Sequence, residues 1–195
     1  MNKLSLHDLS LKSTRVLMRV DFNVPQNADG TVADDTRILG ALKSIEYIRA
    51  QGGKLILMSH LGRPKNVAKA KDDTERAAFE ADNAKLHMDP IADNLREKVG
   101  GTVTKVNDII GPDVEAAVAA MEDGDILVLE NTRLNPGETA NDPELSKALA
   151  GLADVYVSDA FGAVHRAHAS TQGVTEYMDQ CAACVGGLIS SCNAN

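Results

Sequence analysis

The sequence predicts an α/β domain built on a mainly parallel sheet. Two observations lead there. Five short runs are almost continuously apolar and rich in β-branched residues, as strands buried on both faces are. Between them lie segments whose apolar residues recur every three or four positions, the period of a half-buried helix. Strands that alternate with helices in this way define an α/β domain.

The first strand is RVLMRV, Arg15 to Val20. The helix after it carries Ile38, Leu39, Leu42, Ile45 and Ile48 on one face, with Asp34 or Asp35 at its start and Gly52-Gly53 at its end. KLILM, Lys54 to Met58, is the second strand. Asn66 to Asn83 is polar and charge-mixed and reads as a mobile surface loop with some helix at most. A helix around Pro90 to Val99 shows Ile91, Leu95 and Val99. Strand three is GTVTKV, Gly101 to Val106. The next helix starts at Gly111-Pro112, where proline suits the first helical position, and aligns Val114, Ala117, Val118 and Met121. ILVLE, Ile126 to Glu130, is the fourth strand. A helix from Asp142-Pro143 presents Leu145, Leu149 and Leu152, and DVYV, Asp154 to Val157, is the fifth strand.

The 195 residues, 44% of them apolar, suit one medium domain or at most two small ones. With 3% aromatic residues and no Trp, the core must rest on Leu, Ile, Val, Ala and Met. The net charge of −8 disfavours nucleic acid and anionic membrane as partners. No apolar run approaches the ~20 residues that span a bilayer, and the start, MNKLSLHDLSLKS, lacks the continuous apolar core of a signal peptide. Cys181, Cys184 and Cys192 lie close together near one end, a poor disulfide framework. A cytoplasmic location is the expectation.

In an open parallel sheet, ligands bind beyond the carboxyl ends of the strands. Asp21 and Asn23 follow the first strand, His60 and Arg63 the second, Arg133 the fourth, and His165, Arg166 and His168 the fifth. Arg37, in the first turn of its helix, can reach the same edge. Any one of these arginines alone reads as a solvated surface charge. Together, against an acidic background, they imply a small ligand with more than one anionic group, because guanidinium forks match phosphate and carboxylate oxygens in pairs. Asp21 and Asn23 suit a hydroxyl.

No GxxxxGK[ST] or GxGxxG motif is present. HRAH (His165 to His168) lacks a third ligand for a metal, and its arginine would set positive charge beside a cation, so no metal site is expected. A catalytic histidine base stays open beside a supporting role. CAAC (Cys181 to Cys184) does not follow a strand into a helix as redox CxxC motifs do, and reads as small packing residues.

RVDFNVP, DDTRI, SHLGRPK, LENTRLNPGE and VSDAFGAVHRAHAST occur in this order along the chain. In these motifs the sequence resembles the phosphoglycerate kinases, over about Leu4 to Leu188. It looks like their N-terminal lobe, so the resemblance implies a Rossmann-like three-layer α/β/α domain with a mainly parallel β-sheet. Residues 1–185 would form this lobe and 186–195 a divergent tail in place of the family's hinge helix.

The implied reaction is phosphoryl transfer between 1,3-bisphosphoglycerate and ADP, giving 3-phosphoglycerate and ATP. By motif match, Asp21, Phe22 and Asn23 hold the glycerate hydroxyl region. Arg63, Arg133 and Arg166, with His60, Leu61 and Gly62, clamp the 3-phosphate, and His165 and His168 support them. Arg37 approaches the carboxyl and the transferred phosphoryl group, a catalytic role. Mg-ATP or Mg-ADP would belong to the family's other lobe, whose motifs are missing here; that lobe is the expected partner, and this chain would bind no cofactor alone. A non-catalytic lobe that only binds phosphorylated carboxylates is the competing expectation.

Departures from the family pattern are Leu134 where an aromatic is usual, Ser158 for Asn, Val164 for a small residue, and a longer stretch from Asn66 to His87.

Overall fold

The computed structural model of the protein describes residues 6–160 and 167–183. Among these residues six strands form one sheet: β1 (Arg15–Val20), β2 (Lys54–Met58), β3 (Val103–Lys105), β4 (Ile126–Val128), β5 (Val155–Asp159) and β6 (Cys181–Ala183). Their order is β3-β4-β2-β1-β5-β6, and every pairing is parallel. The helices are α1 (Thr36–Ala50), α2 (Asp73–Asn83), α3 (Asp89–Val99), α4 (Pro112–Ala119), α5 (Pro136–Ala140) and α6 (Pro143–Gly151).

Side chains alternate across the sheet, as the period of two requires. Val16, Met18 and Val20 of β1 join Leu55 and Leu57 of β2 in a core shared with Ile38, Ile45 and Ile48 of α1 and Ile91 and Leu95 of α3. Leu17, Ile56, Leu127 and Tyr156 point to the opposite face, where Val114 and Val118 of α4 and Leu145 and Leu149 of α6 cover them. This is the three-layer α/β/α arrangement. It explains why the strand sequences are apolar without alternation: both faces are buried.

Helix starts follow side-chain chemistry. Asp142 caps α6, its carboxylate accepting from the Leu145 N–H at 2.8 Å, and Pro143 begins the helix. At α1 the Asp34 carboxylate accepts from the Thr36 N–H at 2.8 Å, whereas Asp35 makes no side-chain cap. Leu39, expected on the buried face of α1, is 49% exposed.

The stretch expected to be a mobile loop is ordered into a short 3₁₀ turn at Val67–Lys69 and the helix α2. Asp72 caps α2 by accepting from the Glu75 N–H at 2.8 Å. Its other end is pinned by buried Asn83, which donates to the Lys65 carbonyl at 2.9 Å and accepts from the Lys65 N–H at 2.7 Å. Polar anchors do here what apolar ones do elsewhere, so hydropathy alone missed the element.

Strand β6 was likewise not expected from its small residues; its register against β5, Tyr156 to Cys181, defines it. Cys181 is buried, as the packing reading requires, but it is disulfide-bonded, where three cysteines near one end were expected to make a poor disulfide framework. Cys184, Cys192 and the expected tail at 186–195 lie outside the described residues. No helix among the described residues is long and apolar enough to cross a membrane.

Candidate anion site at the carboxyl edge of the sheet

Strands β4, β2 and β1 are neighbours, so their carboxyl ends open side by side, and β5 adjoins β1. That order brings together loops distant in sequence. The loop after β1 is tied to the loop after β2 twice. The Phe22 N–H donates to Ser59 Oγ at 2.9 Å, and the Gly62 N–H donates to Asn23 Oδ1 at 2.7 Å. Asn131, just after β4, accepts from the Leu61 N–H at 3.1 Å and donates to the Leu61 and Leu86 carbonyls, both at 2.8 Å. Arg133 Nη1 donates to the Gly62 carbonyl at 3.1 Å. Gly62 takes φ +61°, and a Cβ there would lie 2.7 Å from Leu86 Cδ2, so the turn favours glycine twice over.

A cavity of about 1010 Å³ results, and Asp21, Asn23, Arg37, His60, Gly62, Arg63 and Arg133 all line it. The Arg37 guanidinium pairs with the Asp21 carboxylate across its rim. Phe22 and Leu61, expected in the site, are 0% and 1% exposed, and their side chains belong to the core beneath it. His168 is buried, with Nδ1 3.7 Å from a carboxylate oxygen of Glu138. His165 and Arg166 lie outside the described residues. Lys65, Asn66 and Asn83 line the cavity too, although the sequence did not single them out.

Behind the cavity wall lies a group that the sequence reading passed over. Arg19 belongs to β1 and is 1% exposed. Its Nε donates to Ser170 Oγ at 2.9 Å, its Nη1 to the Val20 carbonyl, and its Nη2 contacts His60 Nδ1 at 3.0 Å. Ser170 in turn donates its hydroxyl to Glu138 at 2.6 Å and its N–H at 2.9 Å. Glu138, in α5, is fully buried. An arginine inside RVLMRV was the available signal: a charge within a strand buried on both faces demands a partner. Burial, followed by the charges of Arg19, Arg133, His168 and Arg37, pushes the His60 imidazole down to about 3. His60 is therefore neutral at physiological pH.

One carboxylate–imidazole cluster, His87, Asp89 and Glu130, has ligand-type atoms within 4.8 Å of one another. Lys105 already supplies its cation, with Nζ 2.7 Å from Glu130 and 3.0 Å from Asp89. The cluster is thus an ion-pair hub and does not fit a metal.

A family model described as phosphoglycerate kinase matches residues 6–191. The chain belongs to the phosphoglycerate kinase family. Phosphoglycerate kinase of Moorella thermoacetica is 53% identical over 178 residues, which are 91% of this chain and 42% of the relative. That of Chlorobaculum tepidum is 47% identical over 178 residues, 91% of this chain and 41% of the relative. Among solved structures, phosphoglycerate kinase from Coxiella burnetii superposes with a TM-score of 0.76 at 34% identity, covering 94% of this chain and 42% of that one. The enzyme from Pyrococcus horikoshii gives a TM-score of 0.76 at 26% identity, covering 92% of this chain and 42% of that one. The chain thus spans about two fifths of the length of the phosphoglycerate kinases it matches.

Proposed function

We propose that this chain provides the 3-phosphoglycerate and 1,3-bisphosphoglycerate site of a phosphoglycerate kinase. The observation that carries the reading is the convergence of Arg37, Arg63, Arg133 and His60 with Asp21 and Asn23 on one cavity. Guanidiniums grip a phosphate dianion through paired, charge-assisted hydrogen bonds. Asp21 and Asn23 offer an acceptor and an amide to the glycerate hydroxyl. Arg37 would meet the carboxyl end, where charge builds during phosphoryl transfer and a cation lowers the barrier. No proton need leave a carboxylate nucleophile, so a neutral His60 suits binding and not base catalysis. Arg166 is expected to complete the clamp. Mg-ATP or Mg-ADP would be the second substrate, held by the family's other lobe.

The match to about 42% of the relatives favours binding over turnover by the 195-residue chain. Calorimetry with 3-phosphoglycerate is expected to give saturable heat. Arg63→Ala and Arg133→Ala should each weaken it about 10- to 100-fold, the range for losing hydrogen bonds to a charged group. A coupled assay with Mg-ATP and 3-phosphoglycerate should show no turnover. Absence of heat at millimolar ligand would remove the binding reading, and saturable turnover would restore a complete kinase.

A further inference from the structure

The buried chain behind the cavity has one consistent assignment of protons. Arginine has five N–H donors and no acceptor. Its Nη2 lies 3.0 Å from His60 Nδ1, so Nδ1 must accept and carries no proton. A proton on Nδ1 would set donor against donor. Ser170 has one hydroxyl proton; Arg19 Nε, 2.9 Å away, can only donate to that oxygen, so the proton goes to Glu138, 2.6 Å away. Donation therefore runs outward from Arg19, to the imidazole on one side and through the Ser170 hydroxyl to the carboxylate on the other, without a choice at any link. Glu138 is held as firmly, accepting also from the Ser170 N–H at 2.9 Å and from Thr132 Oγ1 at 3.3 Å. Arg19 cannot swivel, because Nη1 is held by the Val20 carbonyl while Nε and Nη2 are engaged elsewhere.

We propose that Arg19, locked by Ser170 and Glu138, is a positioning residue that fixes His60 as the neutral Nε2–H tautomer, leaving Nε2–H as a donor for the anion in the cavity. The identity of that anion rests on the function proposed above; the tautomer does not. Nε2 has no hydrogen-bond partner among the described residues, and His60 lines the cavity. Burial and the surrounding cations Arg19, Arg133 and Arg37, with His168, keep the ring from gaining a second proton. A neutral donor of fixed direction binds an anion without waiting on protonation. Glu138 neutralises the buried guanidinium from a distance, with the Ser170 hydroxyl between them, and so leaves Nη2 free for the imidazole.

Two-bond ¹H–¹⁵N correlation spectra of the labelled 195-residue chain test this, with the His60 signals assigned by their loss in His60→Gln. The expected pattern is a protonated Nε2 and a bare Nδ1, unchanged between about pH 5 and pH 8, the span in which an unperturbed imidazole near pKa 6.5 would titrate. Ser170→Ala, a small change, and Arg19→Lys, which keeps the charge but loses the fork, should each yield mixed tautomers. Binding of 3-phosphoglycerate should weaken about 3- to 10-fold in Ser170→Ala, the loss of one ordinary hydrogen bond. An Nδ1–H tautomer in the parent chain overturns the proposal, as does a His60 that titrates near its usual value. So does a tautomer untouched by both substitutions. If the tautomer behaves as expected and 3-phosphoglycerate gives no heat with the parent chain, the positioning role stands and the assigned ligand falls.

Discussion

Replacing Glu130 with Gln should destabilise the protein far more than a surface carboxylate would. Glu130 is 4% exposed, yet four groups converge on it: Lys105 Nζ at 2.7 Å, the Asn131 N–H at 2.7 Å, and the Met88 N–H and His87 Nδ1, each at 2.9 Å. Burial alone pushes its carboxyl up, but the hydrogen bonds from Lys105, Asn131, His87 and Met88 outweigh that and hold it below the usual range. Gln keeps the shape and can still accept from main-chain N–H groups, but it removes the charge. Lys105, whose side chain is 6% exposed, would then keep the neutral Asn107 Oδ1 at 2.8 Å and a single counter-charge, Asp89, whose side chain is 61% exposed and screened by water. Leaving one member of a buried pair uncompensated costs about 3–5 kcal/mol. Lys105→Met should cost a similar amount by exposing the carboxylate to the same deficit. The double variant removes both charges and should cost at least ~2 kcal/mol less than the sum of the singles. Urea unfolding of the four proteins with a common slope measures all of this. A Glu130→Gln cost below about 1 kcal/mol, the range of an exposed pair, would refute the reasoning, and so would strict additivity.

Stability should also fall as the solution is made mildly acidic, because His60 titrates near 6.5 when unfolded and at about 3 when folded. Between those values only the unfolded chain binds the proton, so the stabilisation is complete above the unfolded value and drains away as pH falls. From pH 7 to pH 5 the loss from this residue is about 2 kcal/mol, read by urea unfolding as the part of the pH dependence that His60→Asn abolishes; an unchanged profile in that variant would contradict the assignment. Asn83→Ala should release the polar anchor between α2 and the loop after β2. Removal of its two bonds to Lys65 predicts a cost of about 1–3 kcal/mol and faster hydrogen exchange at the Lys65 amide, with β2 amides unaffected. Uniform acceleration across β2 would instead mean global destabilisation.

Much of the fold was legible because burial on both sheet faces writes itself into the chain as apolar runs such as KLILM and RVLMRV. The cavity residues were legible as well, since Asp21, His60, Arg63 and Arg133 follow strand ends and parallel strands end at one edge. What periodicity could not supply was pairing at a distance. Asn83 holds an element together by two polar bonds to Lys65, eighteen positions away, and no apolar pattern marks it. Strand β6 has small residues and exists through its register with β5. Arg19 was visible as an anomaly in a buried strand, but its partner Ser170 lies 151 positions away, and nothing local names it.

The contacts around the cavity also explain how an acidic chain keeps several cations close together. Three of the arginines are held by partners of their own: Arg37 by Asp21, Arg133 by the Gly62 carbonyl, and Arg19 by Ser170 and the Val20 carbonyl, with Glu138 beyond. These restraints are not equal. The Arg37 side chain is 51% exposed and Asp21 19%, so their pair resembles a surface ion pair worth about 0–1 kcal/mol. A charge-assisted hydrogen bond to a desolvated phosphate or carboxylate is worth about 1.5–3 kcal/mol. Of these three, Arg37 is the one whose pairing a dianion in the cavity would outcompete, which suits the role proposed for it. Arg19 is the opposite case: buried, with every guanidinium nitrogen engaged, it gains nothing by moving. One arginine is built to exchange partners and the other to hold an imidazole still.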